Sequence, residues 1–232
     1  MGSMYTAVFF VGAQYCSSVQ PVVAVERAVF YREKGAGMYS GMPYAFAQVM
    51  IEIPYLFVLS VVYGVIVYAM IGFEWTAAKF FWYLFFMFFT LLYFTFYGMM
   101  TVAMTPNHHI AAIVSTLFYG LWNVFSGFVI PRPVTIYFLV FQLVKQQRIP
   151  EWWRWYYWAN PVAWTMYGLF ASQFGDVEDK MENGETVKQF VRNYFDFKHE
   201  FLGVVAVVVA AFAVLFGVLF AAGIKRFNFQ NR

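Results

Sequence analysis

His108 and His109 are the residue types most often recruited to hold a metal, and they stand side by side after Pro106-Asn107. Zinc needs three or four ligands at spacings that two adjacent imidazoles in a turn do not supply. The pair therefore reads as part of a solvated loop. Glu52 is the other conspicuous ionisable group, set in an apolar run two residues before Pro54. A carboxylate near lipid is costly, so it should face a bundle interior, pair with a base or sit shallow near an interface. Structural pairing and transport chemistry are equally open for it. Cys16 is the only cysteine, which excludes an intramolecular disulfide and a thiolate metal cluster. No Ser/His/Asp or Cys/His set can be assembled, so no catalytic residue and no metal ligand is assigned. The chain also lacks a Gly-Lys dipeptide, and with it the Walker A phosphate loop. It is not an enzyme on its own, and any active transport must draw its energy from another polypeptide region.

The elements that would position these residues are set by composition. Of 232 residues, 62% are hydrophobic, 24% aromatic and 12% charged. Soluble domains carry about 25% charged residues, so this chain cannot cover a water-facing surface and its solvent must be largely lipid. The net charge of +3 gives no support to a nucleic-acid partner. A bilayer-crossing helix needs about 20 mainly apolar residues. Five stretches meet that length: Met4–Val25, Tyr44–Phe73, Phe80–Met104, Ile110–Ile130 and Phe201–Ile224. Only helices satisfy their backbone in lipid when no alternating barrel pattern is present. The predicted fold class is an all-α polytopic transmembrane bundle of about five spans. The amino-terminal apolar run has no basic leader and reads as a helix entered partway, with preceding residues belonging to an upstream region.

Between the fourth and last spans the sequence changes character. Trp152–Phe174 is rich in Trp and Tyr and broken by Asn160-Pro161. Aromatic rings with a polar edge settle at headgroup level, so the segment is expected to be a helical hairpin dipping into the outer leaflet. Asp176–Glu200 holds seven acids and four bases and is expected to be a water-exposed loop with a short helix around Glu185–Tyr194. The short loop Glu26–Tyr39 carries Arg27, Arg32 and Lys34, and the tail carries Lys225, Arg226 and Arg232. Basic residues in short connections mark the cytoplasmic side, which places 176–200 outside; Lys79 on an outer turn is the exception. The last span carries Ala213, Gly217 and Ala221 four apart, a stripe that permits close helix approach or simply reflects how common Ala and Gly are there. Glu26–Lys34 mixes charges with aromatics before Gly35, Gly37 and Gly41. It reads as a short amphipathic helix along the inner face, either a topology anchor or a receiver of force.

Several strings are recognisable together. Val29-Phe30-Tyr31-Arg32-Glu33-Lys34 with Gly37-Met38-Tyr39-Ser40, Phe125-Ser126-Gly127-Phe128, Pro131-Arg132-Pro133, Trp152-Trp153-Arg154-Trp155-Tyr156-Tyr157-Trp158, Ser172-Gln173-Phe174-Gly175-Asp176 and Phe227-Asn228-Phe229-Gln230 cover nearly the whole chain. They resemble the pleiotropic drug resistance branch of plant ABC transporter subfamily G.

The resemblance implies an ATP-driven plasma-membrane exporter of amphipathic or hydrophobic small molecules. This chain would supply helices two to six of its second membrane domain. ATP and magnesium would be used by nucleotide-binding domains absent from the chain, which itself binds no cofactor. Those domains, the first membrane domain, the lipid bilayer and a hydrophobic substrate are the implied partners. By analogy, Glu26, Arg27, Phe30, Tyr31, Arg32, Glu33 and Lys34 belong to the coupling segment. Gln14 and Tyr15, with Thr116, Gly120 and Asn123, match the substrate cavity, and Phe128 and Val129 match the apolar valve above it.

One departure concerns residues 134–147, fourteen apolar and β-branched residues where the family runs almost directly from Pro131-Arg132-Pro133 into Arg148-Ile149-Pro150. They are compatible with an unspliced intron, although fourteen codons would be short for one. The absent domains leave a second reading open, a truncated non-transporting remnant or an accessory membrane protein.

Overall fold

The computed structural model describes residues 2–73, 75–127, 154–177, 179, 186–195, 197 and 199–229. The expected valve pair Phe128 and Val129 and the insert 134–147 lie outside the described residues. The elements in order are α1 (Gly2–Gly35), α2 (Gly41–Ile71), α3 (Ala77–Met104), α4 (His108–Val124), α5 (Arg154–Ala159), α6 (Pro161–Phe174), α7 (Val187–Phe195), a 3₁₀ turn at His199–Phe201, and α8 (Leu202–Arg226). Among the described residues, four helices are long and apolar enough to cross a bilayer: Gly2–Gly35, Gly41–Ile71, Ala77–Met104 and His199–Arg226. The chain is an all-α polytopic membrane protein. The fourth expected span is 17 residues of helix, His108–Val124, a rise of about 25 Å. It gives way to a turn in which Gly127 takes a φ of 92°.

Helix α1 departs from expectation. The sequence predicts a break after Val25, but one helix of 34 residues runs to Gly35. Pro21 removes one backbone donor without ending it, and nothing in Glu26–Lys34 disfavours helix, since Glu, Arg and Lys are good helix formers. The stop comes at Gly37, whose φ of 76° a side chain would resist. The Glu26–Lys34 segment is therefore the end of the first spanning helix and not a separate helix beside it.

The chain forms two compact units, one of Gly2–Phe73, Met87–Tyr119 and Ala210–Arg232, the other of Glu74–Phe86 and Gly120–Val209. In the first, α3 is the central element. Of its most apolar window 61% is buried, against 17% for α2. Phe46, Met50, Tyr55, Val58, Val62 and Met70 of α2 are exposed, which is what a lipid-facing helix requires.

Helices α1 and α3 admit each other at glycines. A Cβ on Gly12 would lie 2.5 Å from the ring of Phe94, and one on Gly98 would lie 2.8 Å from the carbonyl oxygen of Cys16. Close backbone approach is the means by which helices associate in lipid, where no hydrophobic drive separates tail from side chain. At the same crossing the buried Gln20 amide donates to Ser115 Oγ at 2.8 Å and to Thr101 Oγ1 at 3.2 Å, which ties α1, α3 and α4. In the stripe on α8, Ala213 and Gly217 are buried, and a Cβ at Gly217 would meet Phe96 of α3 at 3.5 Å.

In the second unit α6 is almost wholly buried. Asn160 starts it. Its side-chain oxygen accepts from the Val162 amide at 3.0 Å, and its amide donates to the Trp122 carbonyl at 2.7 Å. The Asn160-Pro161 break is thus a buried N-cap with proline at the first helical position.

The short helix expected around Glu185–Tyr194 is α7 (Val187–Phe195), and the described residues of 176–200 are exposed or half-buried except Val191, Phe195 and Phe197. Helix α7 presents Lys188, Gln189 and Arg192 outward while Val191 and Phe195 are buried. Phe195 and Phe197 stack at 5.4 Å and contact Phe170 of α6. Aromatic burial outweighs the acidic composition there. The Lys79 exception also finds its reason: its ammonium lies 3.2 Å from Asp176, and Gln173 donates to its carbonyl at 2.8 Å.

Candidate functional site

The coupling residues divide by the face of α1 on which they fall. Arg27 is 5% exposed. Its guanidinium donates to the carbonyls of Thr105 at 2.7 Å and Pro106 at 2.8 Å, and also to that of Val102. Val102 lies in the last turn of α3, where its carbonyl also accepts from the Thr105 amide at 3.4 Å, and Thr105 and Pro106 follow the helix end, where the helix dipole favours a cation. The ring faces of Tyr31 and Phe229 lie 5.9 and 5.4 Å from the guanidinium carbon. The Tyr31 hydroxyl donates to the Phe227 carbonyl at 3.1 Å, which ties α1 to the tail after α8. Phe30 is fully buried and stacks on Tyr44 of α2 with centroids 4.4 Å apart. Glu26 accepts from Gln48, and Glu33 accepts from the Tyr39 hydroxyl.

Of the seven residues expected to form a coupling segment, Arg27, Phe30 and Tyr31 are internal anchors, whereas Arg32 and Lys34 are exposed. The residues after them, Gly35–Ser40, are exposed throughout. The end of α1 is therefore a rigid post fixed to α2, to α3 and to the tail, with a basic tip left uncovered. Sequence reasoning did not find the Arg27 cap. Its only signal was an arginine opposite the last turn of a helix still unplaced, and that pairing needs the tertiary fold.

The cavity residues are placed separately. On α1, Gln14 is exposed and Tyr15 half-buried; on α4, Thr116 is exposed. Thr116 returns its hydroxyl to the Ala112 carbonyl and accepts from Tyr119 at 3.0 Å. Gly120 is exposed with open space where its Cβ would stand, and Asn123 is half-buried. Thr116, Gly120 and Asn123 recur at helical spacing and share one side of α4. Glu52, one turn after Gln48 on α2, is half-buried, and no basic side chain pairs with it among the described residues. His108 and His109 have rings 4.0 Å apart, and no group of three or more His, Cys, Asp or Glu converges among the described residues.

The described residues thus form an all-α membrane bundle whose first spanning helix ends in an anchored segment with a basic tip. The family profile for ABC-2 type transporters matches residues 1–174, and the chain belongs to that family. Over its whole length it is 68% identical to ABC transporter G family member 36 of Oryza sativa subsp. indica and 66% identical to Pleiotropic drug resistance protein 1 of Nicotiana tabacum. It is 64% identical to ABC transporter G family member 40 of Arabidopsis thaliana. The chain spans 15% of the length of each of these relatives.

Proposed function

We propose that the chain is the membrane-domain part of an ATP-driven exporter of amphipathic small molecules in the plasma membrane. Nucleotide-binding domains outside this chain supply the hydrolysis. The observation that carries this reading is the anchored end of α1. A push on Lys34 and the exposed Gly35–Ser40 segment would not be absorbed by a loop, because α1 runs unbroken from that tip into its spanning portion. Gln14, Tyr15, Thr116, Gly120 and Asn123 are the residues we assign to the substrate path. They offer a few amides and hydroxyls in an otherwise apolar setting, which suits an amphipathic ligand. The basic tip faces the cytoplasm in this reading, as short basic connections do.

The test is a chimera in which these 232 residues replace the matching segment of one of the plant relatives. ATP-dependent efflux by the chimera in sealed cells, with no efflux and no ATPase activity from the chain alone, is the expected result. A chimera that reaches the membrane and hydrolyses ATP without moving any substrate of the parent favours the non-transporting remnant instead.

A further inference from the structure

The carboxyl-terminal half of α1 from Pro21, the turn after α3 and Phe229 of the tail line an open cavity of about 690 Å³ in which two chemistries meet. One wall is apolar and uncovered, with Val25 67% and Val29 48% exposed, and it continues along α1 to the exposed Val22. The other end is basic, formed by Arg27, Arg32 and His108. No Asp or Glu lines the cavity among the described residues.

Helix α1 sorts its charges to produce this. Glu26 and Glu33 look away, held by Gln48 and Tyr39, while Arg32 turns toward the cavity. Among the described residues, the charge of Arg27 is met by three carbonyls and two ring faces. These are neutral partners that satisfy its donors without cancelling its field. An anion at the cavity mouth would complete the electrostatics of a cation already withdrawn from water.

We propose that this cavity binds the headgroup of an anionic phospholipid. The phosphate is held by Arg32 and a ring N–H of His108 in the field of Arg27, and an acyl chain lies along the Val22–Val25–Val29 wall. A lipid fits better than free phosphate because the wall is apolar and continuous with a membrane-spanning helix, and basic groups beside a span attract acidic lipids. The inference does not depend on export. It concerns a site on this chain alone, so its outcome and that of the chimera are separable.

The experiment uses the purified 232-residue chain in detergent micelles. The probes are short-chain phosphatidylserine, short-chain phosphatidylinositol 4-phosphate, phosphatidylcholine of the same chain length and inorganic phosphate. Binding is read by native mass spectrometry and by titration. The two anionic lipids are expected to bind about tenfold more tightly than phosphatidylcholine. Arg32→Gln should cut that preference about fivefold, the contribution of one basic residue near a surface. Ala28→Trp, which fills the cavity from an exposed position, should weaken all three lipids. Neutralising Lys225 and Arg226, exposed on α8 but outside the cavity, should cost less than Arg32→Gln. Equal affinity for anionic and zwitterionic lipid would overturn the proposal. So would a preference untouched by both Arg32→Gln and Ala28→Trp, or inorganic phosphate binding as tightly as the lipids.

Discussion

The guanidinium of Arg27 lies 2.7 Å from the carbonyl oxygen of Thr105, which makes an arginine from the end of α1 the cap of α3. That one contact joins the segment assigned to coupling with the most buried helix of its unit. It also explains why a buried arginine is tolerated, since its donors are met by backbone carbonyls in the last turn of α3 and in the turn after it.

Replacing Arg27 tests the cap. Arg27→Met keeps the apolar stem but removes the side-chain donors from the carbonyls of Thr105 and Pro106 and leaves that of Val102 with the Thr105 amide, at about 2–4 kcal/mol for the group. For a domain of this size that is a fall of roughly 4–16 °C in thermal midpoint, read by fluorescence-detected size exclusion after heating. Arg27→Lys should recover part of the loss, because an ammonium reaches fewer of the three oxygens. A midpoint unchanged in Arg27→Met removes the cap from the account.

Gly98→Ala tests the α1–α3 crossing. The new methyl would stand 2.8 Å from a backbone oxygen of Cys16, and backbone cannot rotate aside as a side-chain tip can. A loss of about 1–3 kcal/mol is expected, as for other overpacked contacts. Gly120→Ala is the control, since nothing stands within 4 Å of its Cβ. It should leave the midpoint unchanged or raised slightly. Equal effects from the two substitutions would contradict the packing described.

Asn160 separates two roles within one side chain. Asn160→Asp keeps the acceptor that caps α6 but loses the donor to Trp122, whereas Asn160→Ala loses both. The alanine variant should cost about 1–2 kcal/mol for the cap alone, with the lost link to Trp122 added. The aspartate variant should fall below alanine at neutral pH, because it sets a buried carboxylate oxygen against the Trp122 carbonyl with no donor between them. Thermal midpoints measured side by side give the order, and an alanine variant as stable as the parent would mean that the cap contributes little.

What was legible in the sequence follows from which signals are local. Helices α2, α3 and α8 announce themselves by apolar length alone, and their bounds differ from expectation by a few residues. The continuation of α1 was hidden because Glu26–Lys34, expected as a separate amphipathic helix, changes composition sharply after Val25, whereas no helix-breaking residue separates the two and the true stop is Gly37. The end of α4 was overrun because apolar residues continue past Val124 into a turn. Lys79 could be flagged as misplaced by charge, but Asp176 is its partner only through folding. Burial of Val191, Phe195 and Phe197 was masked by the acidic residues around them, since net charge reports solvation of a segment and not which of its faces is covered. Within the coupling segment, the distinction between buried anchors and exposed tip depends on the phase of α1 against α2 and α3. The sequence alone does not fix that phase.

The central claim, that the tip of α1 receives force from a nucleotide-binding domain, is tested most directly by cross-linking in the active chimera. Lys34 is exposed, and the native Cys16 is fully buried, so Lys34→Cys with the parent's accessible cysteines replaced gives a single reactive thiol. A short thiol-to-amine reagent is predicted to join position 34 to a peptide of a nucleotide-binding domain, with a yield that changes when ATP is added. Cross-links confined to the membrane domain, in a complex that still hydrolyses ATP and exports substrate, would contradict the account.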